Sequence, residues 1–346
     1  MLTERERFNM AEDRIILDHG AGGAATHRLI KDYIFSKLRN PLLEPLDDSA
    51  VLEMGDGIKI AMTTDSYVID PIFFPGGDIG SLAVYGTVND LSMQGATPLF
   101  LSLAFIIEEG LPLKDLKRIM DSISKAAKEA NVDIVTGDTK VVHRGQADKI
   151  YINTAGIGKV PKGIEISSHL ARPGDLVIIN GDIADHGMAV LFSREGLDPD
   201  IPISSDSAPL NGLVSEILKI SDKIHVLKDP TRGGLGSALN EIAQNSNVSI
   251  FIYEDRIPIK EEVKAACELL GFDPLYIANE GKCIVIVEEE DADRVLEAMK
   301  RHPLGKDSRI IGEIREEYAG KVYMKTKVGG TRIISMLEGE QAPRIC

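Results

Sequence analysis

Along the chain, short apolar runs alternate with stretches whose apolar residues recur at the beat of an amphipathic helix. In the first half the runs Ile58 to Thr63, Pro98 to Ile107, Asp133 to Thr136 and Ile150 to Gly158 predict strands. The stretches from about Ala25 to Leu38, Ile79 to Gln94 and Leu113 to Ala130 predict helices, the last strongly amphipathic. Turn residues Pro161-Lys162-Gly163 and Pro173-Gly174 then break the rhythm and mark a domain boundary.

The second half restarts with the buried strand Leu176-Val177-Ile178-Ile179. Helices follow at about Asp185 to Arg194, Asn211 to Ile220, Leu235 to Gln244, Glu261 to Leu270 and Asp291 to Arg301. The apolar run from Cys283 to Val287 and the segment Ile310 to Glu313 add strands. Each half is therefore expected to be a sheet with helices packed on it, an α+β arrangement in two domains. The expected limits are a flexible arm over 1–14, a first domain over 15–160, a second over 170–336 and a flexible tail over 337–346.

Composition narrows the class. The chain of 346 residues carries a net charge of −15, which argues against nucleic acid as a direct partner. The start lacks a signal-peptide core and no apolar run could span a bilayer, so no membrane role and a cytoplasmic setting are expected. Three cysteines, Cys267, Cys283 and Cys346, are too few and too dispersed for a disulfide framework or a zinc site. Cys267 and Cys283 fall in core-type patterns and read as buried small hydrophobes. Cys346 is the last residue, behind a polar segment with a glycine and a proline. About ten residues of extended chain reach roughly 33 Å, so such an arm can present, deliver and withdraw a thiol.

Candidate chemistry gathers at loop positions. Aspartates stand at Asp47-Asp48, Thr64-Asp65, Asn89-Asp90 and Gly137-Asp138. Each alone can cap a helix or turn a loop. Converging at one end of a sheet they would repel one another, and a hard divalent cation shared with nucleotide phosphates would resolve that repulsion. Gly20-Ala21-Gly22-Gly23 and Asp229-Pro230-Thr231-Arg232-Gly233-Gly234 each precede a helix, where backbone N–H groups favour anions, although tight turns explain them equally. Lys140 could neutralise a transferring phosphoryl group and His143 could shuttle a proton, or both are solvated surface residues. Asn279-Glu280-Gly281 by itself is an ordinary turn, and Asp185-His186-Gly187 reads as a helix-start feature.

Taken together, Asp18-His19-Gly20-Ala21-Gly22-Gly23, Asp47-Asp48, Thr64-Asp65-Ser66, Val88-Asn89-Asp90-Leu91, Thr136-Gly137-Asp138-Thr139-Lys140, Asp229-Pro230-Thr231-Arg232-Gly233-Gly234, Asn279-Glu280-Gly281 and the terminal Pro343-Arg344-Ile345-Cys346 resemble the HypE family of hydrogenase maturation proteins. That family lies within the superfamily of aminoimidazole ribonucleotide synthetase and selenophosphate synthetase. The resemblance implies two PurM-like domains, with N-terminal domains pairing their sheets in a homodimer and ATP near the domain cleft. It implies ATP-dependent dehydration of an S-carboxamide on Cys346 to a thiocyanate. The carbamoyl group would come from a HypF-type carbamoyltransferase and the cyanide would pass to iron on a HypC–HypD complex.

In residue terms, the resemblance implies Mg2+ held by Asp48, Asp65, Asp90 and Asp138. Phosphates would lie against Gly20, Gly22, Gly23, Asp229, Thr231, Arg232, Gly233 and Gly234. Lys140 would stabilise transferred charge, and Glu280 or His143 would be the base, a choice the sequence leaves open. The rival within the superfamily is another ATP-dependent synthetase. A selenophosphate synthetase would keep a reactive cysteine near the N-terminal glycine loop, and this chain has none before Cys267. A catalytically dead scaffold would be expected to lose carboxylates from the set, and all four positions are Asp.

Overall fold

The computed structural model describes residues 14–197, 203–339, 342 and 344–346. The arm expected over 1–14 lies, all but its last residue, outside the described residues. A helical stretch runs from Ala24 to Leu38, with a π-helical middle over Ile30–Phe35.

The first sheet contains β1 (Ala50–Glu53), β2 (Lys59–Tyr67), β3 (Thr97–Glu108), β4 (Asp133–Val142) and β5 (Ile150–Val160), in the spatial order β1-β2-β5-β3-β4. Only β3 and β4 pair in parallel, because the helix α2 (Leu113–Ala130) connects them and returns the chain to the same end. Helix α2 buries Ile119, Ile123, Ala126, Ala127 and Ala130, an i, i+4, i+7 stripe, and stops where Asn131 turns left-handed.

Helix α1 (Ile79–Met93) is apolar around most of its circumference and is buried accordingly. Asp78 caps it, accepting from the Gly80 and Ser81 amides at 2.8 and 3.0 Å. This helix packs on the first sheet and touches the second half of the chain, so its C-terminal turn delivers Thr87, Asn89 and Asp90 to the junction of the two halves.

The second sheet is built from β6 (Leu176–Ile179), β7 (Ile224–Lys228), β8 (Ser249–Tyr253), β9 (Ile284–Val287), β10 (Arg309–Arg315), β11 (Lys321–Lys325) and β12 (Thr331–Ile334). Their order is β12-β11-β8-β10-β6-β9-β7. Helices α3 (Asp185–Glu195), α4 (Asn211–Ile220), α5 (Gly234–Asn245), α6 (Glu261–Leu270) and α7 (Glu289–Arg301) complete this half. Strands β6 and β9 are apolar at every position and lie inside the sheet, covered on both faces. Two sheets with packed helices is the α+β arrangement expected. Among the described residues no helix is long and apolar enough to cross a membrane.

One strand departs from expectation. The run ending at Thr136 was expected to give way to a loop at Gly137-Asp138; instead β4 continues to Val142, with Asp138 and Lys140 inside it. Glycine at 137 permits this, since a Cβ there would lie 2.2 Å from the Leu103 carbonyl oxygen on the paired strand.

Candidate functional site

The junction of the two halves gathers carboxylates. Asp48 precedes β1, Asp65 lies in β2, Asp90 ends α1, Asp229 follows β7, and Glu280 precedes β9. Thr63 Oγ1 lies 2.9 Å from both Asp90 Oδ2 and the Asp48 carbonyl oxygen, its one hydroxyl proton tying two of them together. Thr87 donates to Asp65 Oδ2 at 3.2 Å, with the buried Tyr67 hydroxyl 3.4 Å from the same oxygen.

Burial pushes every one of these acids above the ordinary carboxyl range, and neighbouring charges raise Asp90, Asp229 and Glu280 further. Asp90 stands well above it, through burial and then the charges of Asp65, Asp229 and Asp48. Asp229 is pushed up to about 8 by burial and then by Asp48. Glu280 is lifted well above its usual range by burial and by Asp229, Asp206 and Asp65. Its Oε1 is buried with no hydrogen-bond partner. Asp48 and Asp65 are raised by burial as well.

One resident cation compensates in part. Lys228 Nζ sits 2.6 Å from Asp48 Oδ1 and 3.1 Å from Glu241 Oε2, and Glu241 also meets His27 Nε2 at 3.1 Å. None of these three was singled out in the sequence, because each sits in an unremarkable helix or strand pattern.

The set expected to hold a metal is thus partly assembled. Asp48, Asp65 and Asp90 come together, joined by Asp229, which was expected on the phosphate side. Asp138 does not join them. The ladder aligns Asp138 with Ala104, Asn153 and Ser66 across three strand spacings, about 14 Å from the row of Asp65. It lies exposed and ion-paired with Lys140 at 2.7 Å. Lys140 is equally exposed, and His143, beyond β4, lies 3.9 Å from Glu109 at the surface. All three sit on the outer edge of the first sheet, away from their own chain's cluster. Among the described residues no group of three acids, histidines or cysteines is close enough to hold a metal ion on its own.

The expected phosphate loops meet each other. Gly22 packs on Arg232, Gly23 on Leu337, Gly233 on Ser237, and Gly234 on the Leu275 and Ile277 carbonyls. These glycines serve close backbone packing within the chain, whereas Gly20 faces open space. Arg232 Nη1 donates to the Gly20 carbonyl at 3.0 Å. Thr231 leads the turn into α5, and its carbonyl accepts from the Gly234 amide at 2.9 Å.

A cavity of about 180 Å³ lies between these loops, lined by Gly20, Ser66, Arg232, Gly233, Tyr276 and Cys346 among others. The tail, expected as a free arm, ends seated there against its own chain. Leu337 is held by the Ala24 amide at 2.9 Å. Further along, the Asp70 and Val68 amides donate to the Arg344 and Cys346 carbonyl oxygens at 3.3 and 3.0 Å, a short antiparallel pairing. The Arg344 side chain donates to the Val68 carbonyl at 2.9 Å and to Asp148 at 2.6 Å. Burial pushes the Cys346 thiol up to about 12, with Glu280, Asp65 and Asp229 adding to the rise and Arg232 opposing it. In this seat the sulfur is a protonated thiol. Cys267 and Cys283 are buried, as expected.

The chain matches the family models described as AIR synthase related protein, N-terminal domain, over residues 46–160, and AIR synthase related protein, C-terminal domain, over residues 172–325. It is 50% identical over 339 residues to the carbamoyl dehydratase HypE of Cupriavidus necator, covering 98% of this chain and 97% of that one. A solved HypE–HypF complex contains a chain similar at TM-score 0.85 and 51% identity, over 89% of this chain and 99% of that one. Another HypE, solved in complex with ATP, matches at TM-score 0.81 and 49% identity over 96% of this chain and 100% of that one. With carboxylates, glycine loops and a terminal cysteine in one cleft and this likeness over nearly the full length, the chain belongs to the HypE family of carbamoyl dehydratases.

Proposed function

We propose that this chain uses ATP to dehydrate a carbamoyl group carried on Cys346, and that the product thiocyanate supplies a cyanide ligand for hydrogenase iron. The observation that carries the reading is the Cys346 thiol seated beside Arg232 and the carboxylate cluster, at the end of a tail that is long enough to leave.

The chemistry follows from what the amide must lose. Water is a poor leaving group, so the amide oxygen of the S-carboxamide takes the γ-phosphoryl group of ATP, releasing ADP and one N–H proton. Loss of the second N–H proton then expels phosphate as the C–O bond breaks and the C≡N bond forms. Glu280 is the base: it is buried beside the thiol, one oxygen is without a partner, and burial raises its proton affinity. His143, exposed at the surface, is not available to its own chain's cleft. Because the reacting group is tethered, the step is intramolecular, and seating the tail supplies proximity.

The donor set suits Mg2+. Asp48, Asp65 and Asp90, with Asp229 beside them, offer only hard oxygen atoms, and their mutual repulsion calls for a cation. Bound there, it would shield the phosphate charge. Gly20, Arg232 and Gly233 border the space for those phosphates, with Thr231 and Gly234 flanking them in the same turn.

Lys140, His143 and Asp138 are read as belonging to a neighbour's site. Strand β4 is an edge strand exposed along its length, and Val135, Val141, Phe100 and Ile106 leave apolar surface on that side of the sheet. A homodimer pairing these sheets would cover that surface and carry Lys140 towards the partner's cleft, where it would stabilise transferred charge. A HypF-type carbamoyltransferase is the proposed donor of the carbamoyl group, in keeping with the HypE–HypF complex solved for a relative. A HypC–HypD complex is the proposed acceptor of cyanide.

Intact-protein mass tests the reading. The protein is incubated with the transferase, carbamoyl phosphate and ATP, then divided with and without further Mg-ATP. A gain of one carbamoyl group on Cys346, then loss of one water only with ATP, is expected. An adduct on Cys267 or Cys283, or none, would sink it.

A further inference from the structure

His186 lies outside the carboxylate cluster and the glycine loops, in the first turn of α3, and is fully buried. Its Nε2 is 2.9 Å from the carbonyl oxygen of Ile345, the peptide group immediately before the terminal cysteine. Its Nδ1 is 2.8 Å from Ser205 Oγ. A carbonyl oxygen can only accept, so Nε2 carries the proton. Nδ1 of the neutral ring is then the acceptor, and the Ser205 hydroxyl donates to it. Burial lowers the proton affinity of His186, which agrees with a neutral ring.

The surroundings fix this ring. Phe74 meets it edge-on, with centroids 5.4 Å apart at 89°. The Ser205 amide is tied to the Pro75 carbonyl at 2.8 Å, and the Ser207 amide donates to Ser205 Oγ at 3.1 Å. Serine hydroxyl, imidazole and tail carbonyl therefore form a relay with one tautomer and one direction.

The other holds on the tail grip different atoms. Val68 and Asp70 hold the carbonyl oxygens of Cys346 and Arg344, and Arg194 donates to that of Arg344 at 2.8 Å. His186 holds the carbonyl between them. That peptide plane fixes the N–Cα bond of Cys346, and with the Val68 amide holding the next backbone oxygen it limits the direction in which the Cα–Cβ bond leaves.

We infer that His186 is a positioning residue for the dehydration, gripping the tail through the Ile345 carbonyl so that the sulfur-borne group points at the cleft. The inference rests on the proposed function for its consequence, and on geometry alone for the grip. It assigns His186 to the seated tail and to no step made while the tail is away, including carbamoylation by the transferase.

The test reads alkylation of each cysteine by mass spectrometry, with Cys267 and Cys283 as reporters of an intact core. His186→Phe keeps the ring volume and removes the donor. Cys346 is expected to alkylate roughly tenfold faster while Cys267 and Cys283 stay protected, the loss of one buried hydrogen bond. Dehydration of the carbamoylated protein should slow by about the same factor, with carbamoylation unchanged. His186→Gln can place an amide N–H where Nε2 was and should recover most of both. Unchanged Cys346 protection in the Phe variant, or a Gln variant no better than Phe, overturns the inference. If the Phe variant exposes all three cysteines, Ser205→Ala decides: faster alkylation confined to Cys346 supports the grip, and no change overturns it. Should the unaltered protein never dehydrate the adduct, the proposed function fails while the alkylation result still decides the grip.

Discussion

Lys228 Nζ lies 2.6 Å from Asp48 Oδ1 with both side chains largely buried, making this lysine the resident counter-charge of the acidic cleft. It also serves Glu241, so its removal leaves two buried carboxylates without a cation. Lys228→Met should therefore destabilise the protein by about 3–5 kcal/mol, the usual cost of breaking a buried pair from one side. Urea unfolding measures this. Adding Asp48→Asn to the same chain should recover part of the loss; a double variant no more stable than the single one would assign the damage to packing instead.

Asp48, Asp65, Asp90, Asp229 and Glu280 bind protons more tightly folded than unfolded. For a carboxyl with raised folded affinity, the native state holds the extra proton, so stability falls as pH rises. The window opens near the ordinary carboxyl value and, for Asp229, closes at about 8. Asp229 alone would contribute a slope of about 1.4 kcal/mol per pH unit across the middle of that window. The protein without nucleotide should accordingly lose thermal stability from acid towards neutral pH. Mg-ATP, which favours the charged carboxylates, should restore most of it at pH 7.5. A melting temperature that climbs over the same range would refute the shifts.

Much of this arrangement was legible beforehand, and the exceptions have physical causes. Helix α2 ends where its apolar stripe does, since Ile119, Ile123 and Ala130 leave no other face to bury. Asp48, Asp65 and Asp90 could be grouped because acids near the ends of apolar runs are costly unless shared. Asp138 looked the same in sequence, and only strand order separates it: register puts three ladder spacings between its strand and the strand of Asp65. The seat of the tail was illegible because it is made of backbone groups at Val68 and Asp70, which carry no side-chain signature. His186 read as a helix-start feature because its partner, the Ile345 carbonyl, stands 159 residues away.

Gly137 is predicted to be intolerant of any side chain. A Cβ would meet the Leu103 carbonyl at 2.2 Å on the paired strand, so Gly137→Ala must spread the β3–β4 ladder. A cost of about 1–3 kcal/mol is expected from this overpacking. The β4 edge would shift with it, so in the proposed homodimer sedimentation should also report weaker self-association. A fully stable and fully associated variant would show that the ladder can relax, and would remove the argument that glycine lets β4 run through Asp138.

The exposed edge and the buried cleft make opposite demands on two variants, which gives a decisive mixing experiment. Cys346 is seated in its own chain, whereas Lys140 stands exposed on an outer strand away from that seat. Lys140→Ala and Cys346→Ala should each abolish thiocyanate formation when alone. In a mixed pair of the proposed homodimer, the Lys140→Ala chain would keep its cysteine and receive lysine from the Cys346→Ala chain. One site of the two is then complete. Random equal mixing should recover about a quarter of the unaltered activity, since half the dimers are mixed and each carries one working site. If Lys140 acted within its own chain, every site would lack one of the two groups and mixing would recover nothing. The two outcomes differ by the full measurable range, and co-expression of the variants with separate tags allows the mixed dimer to be isolated before assay.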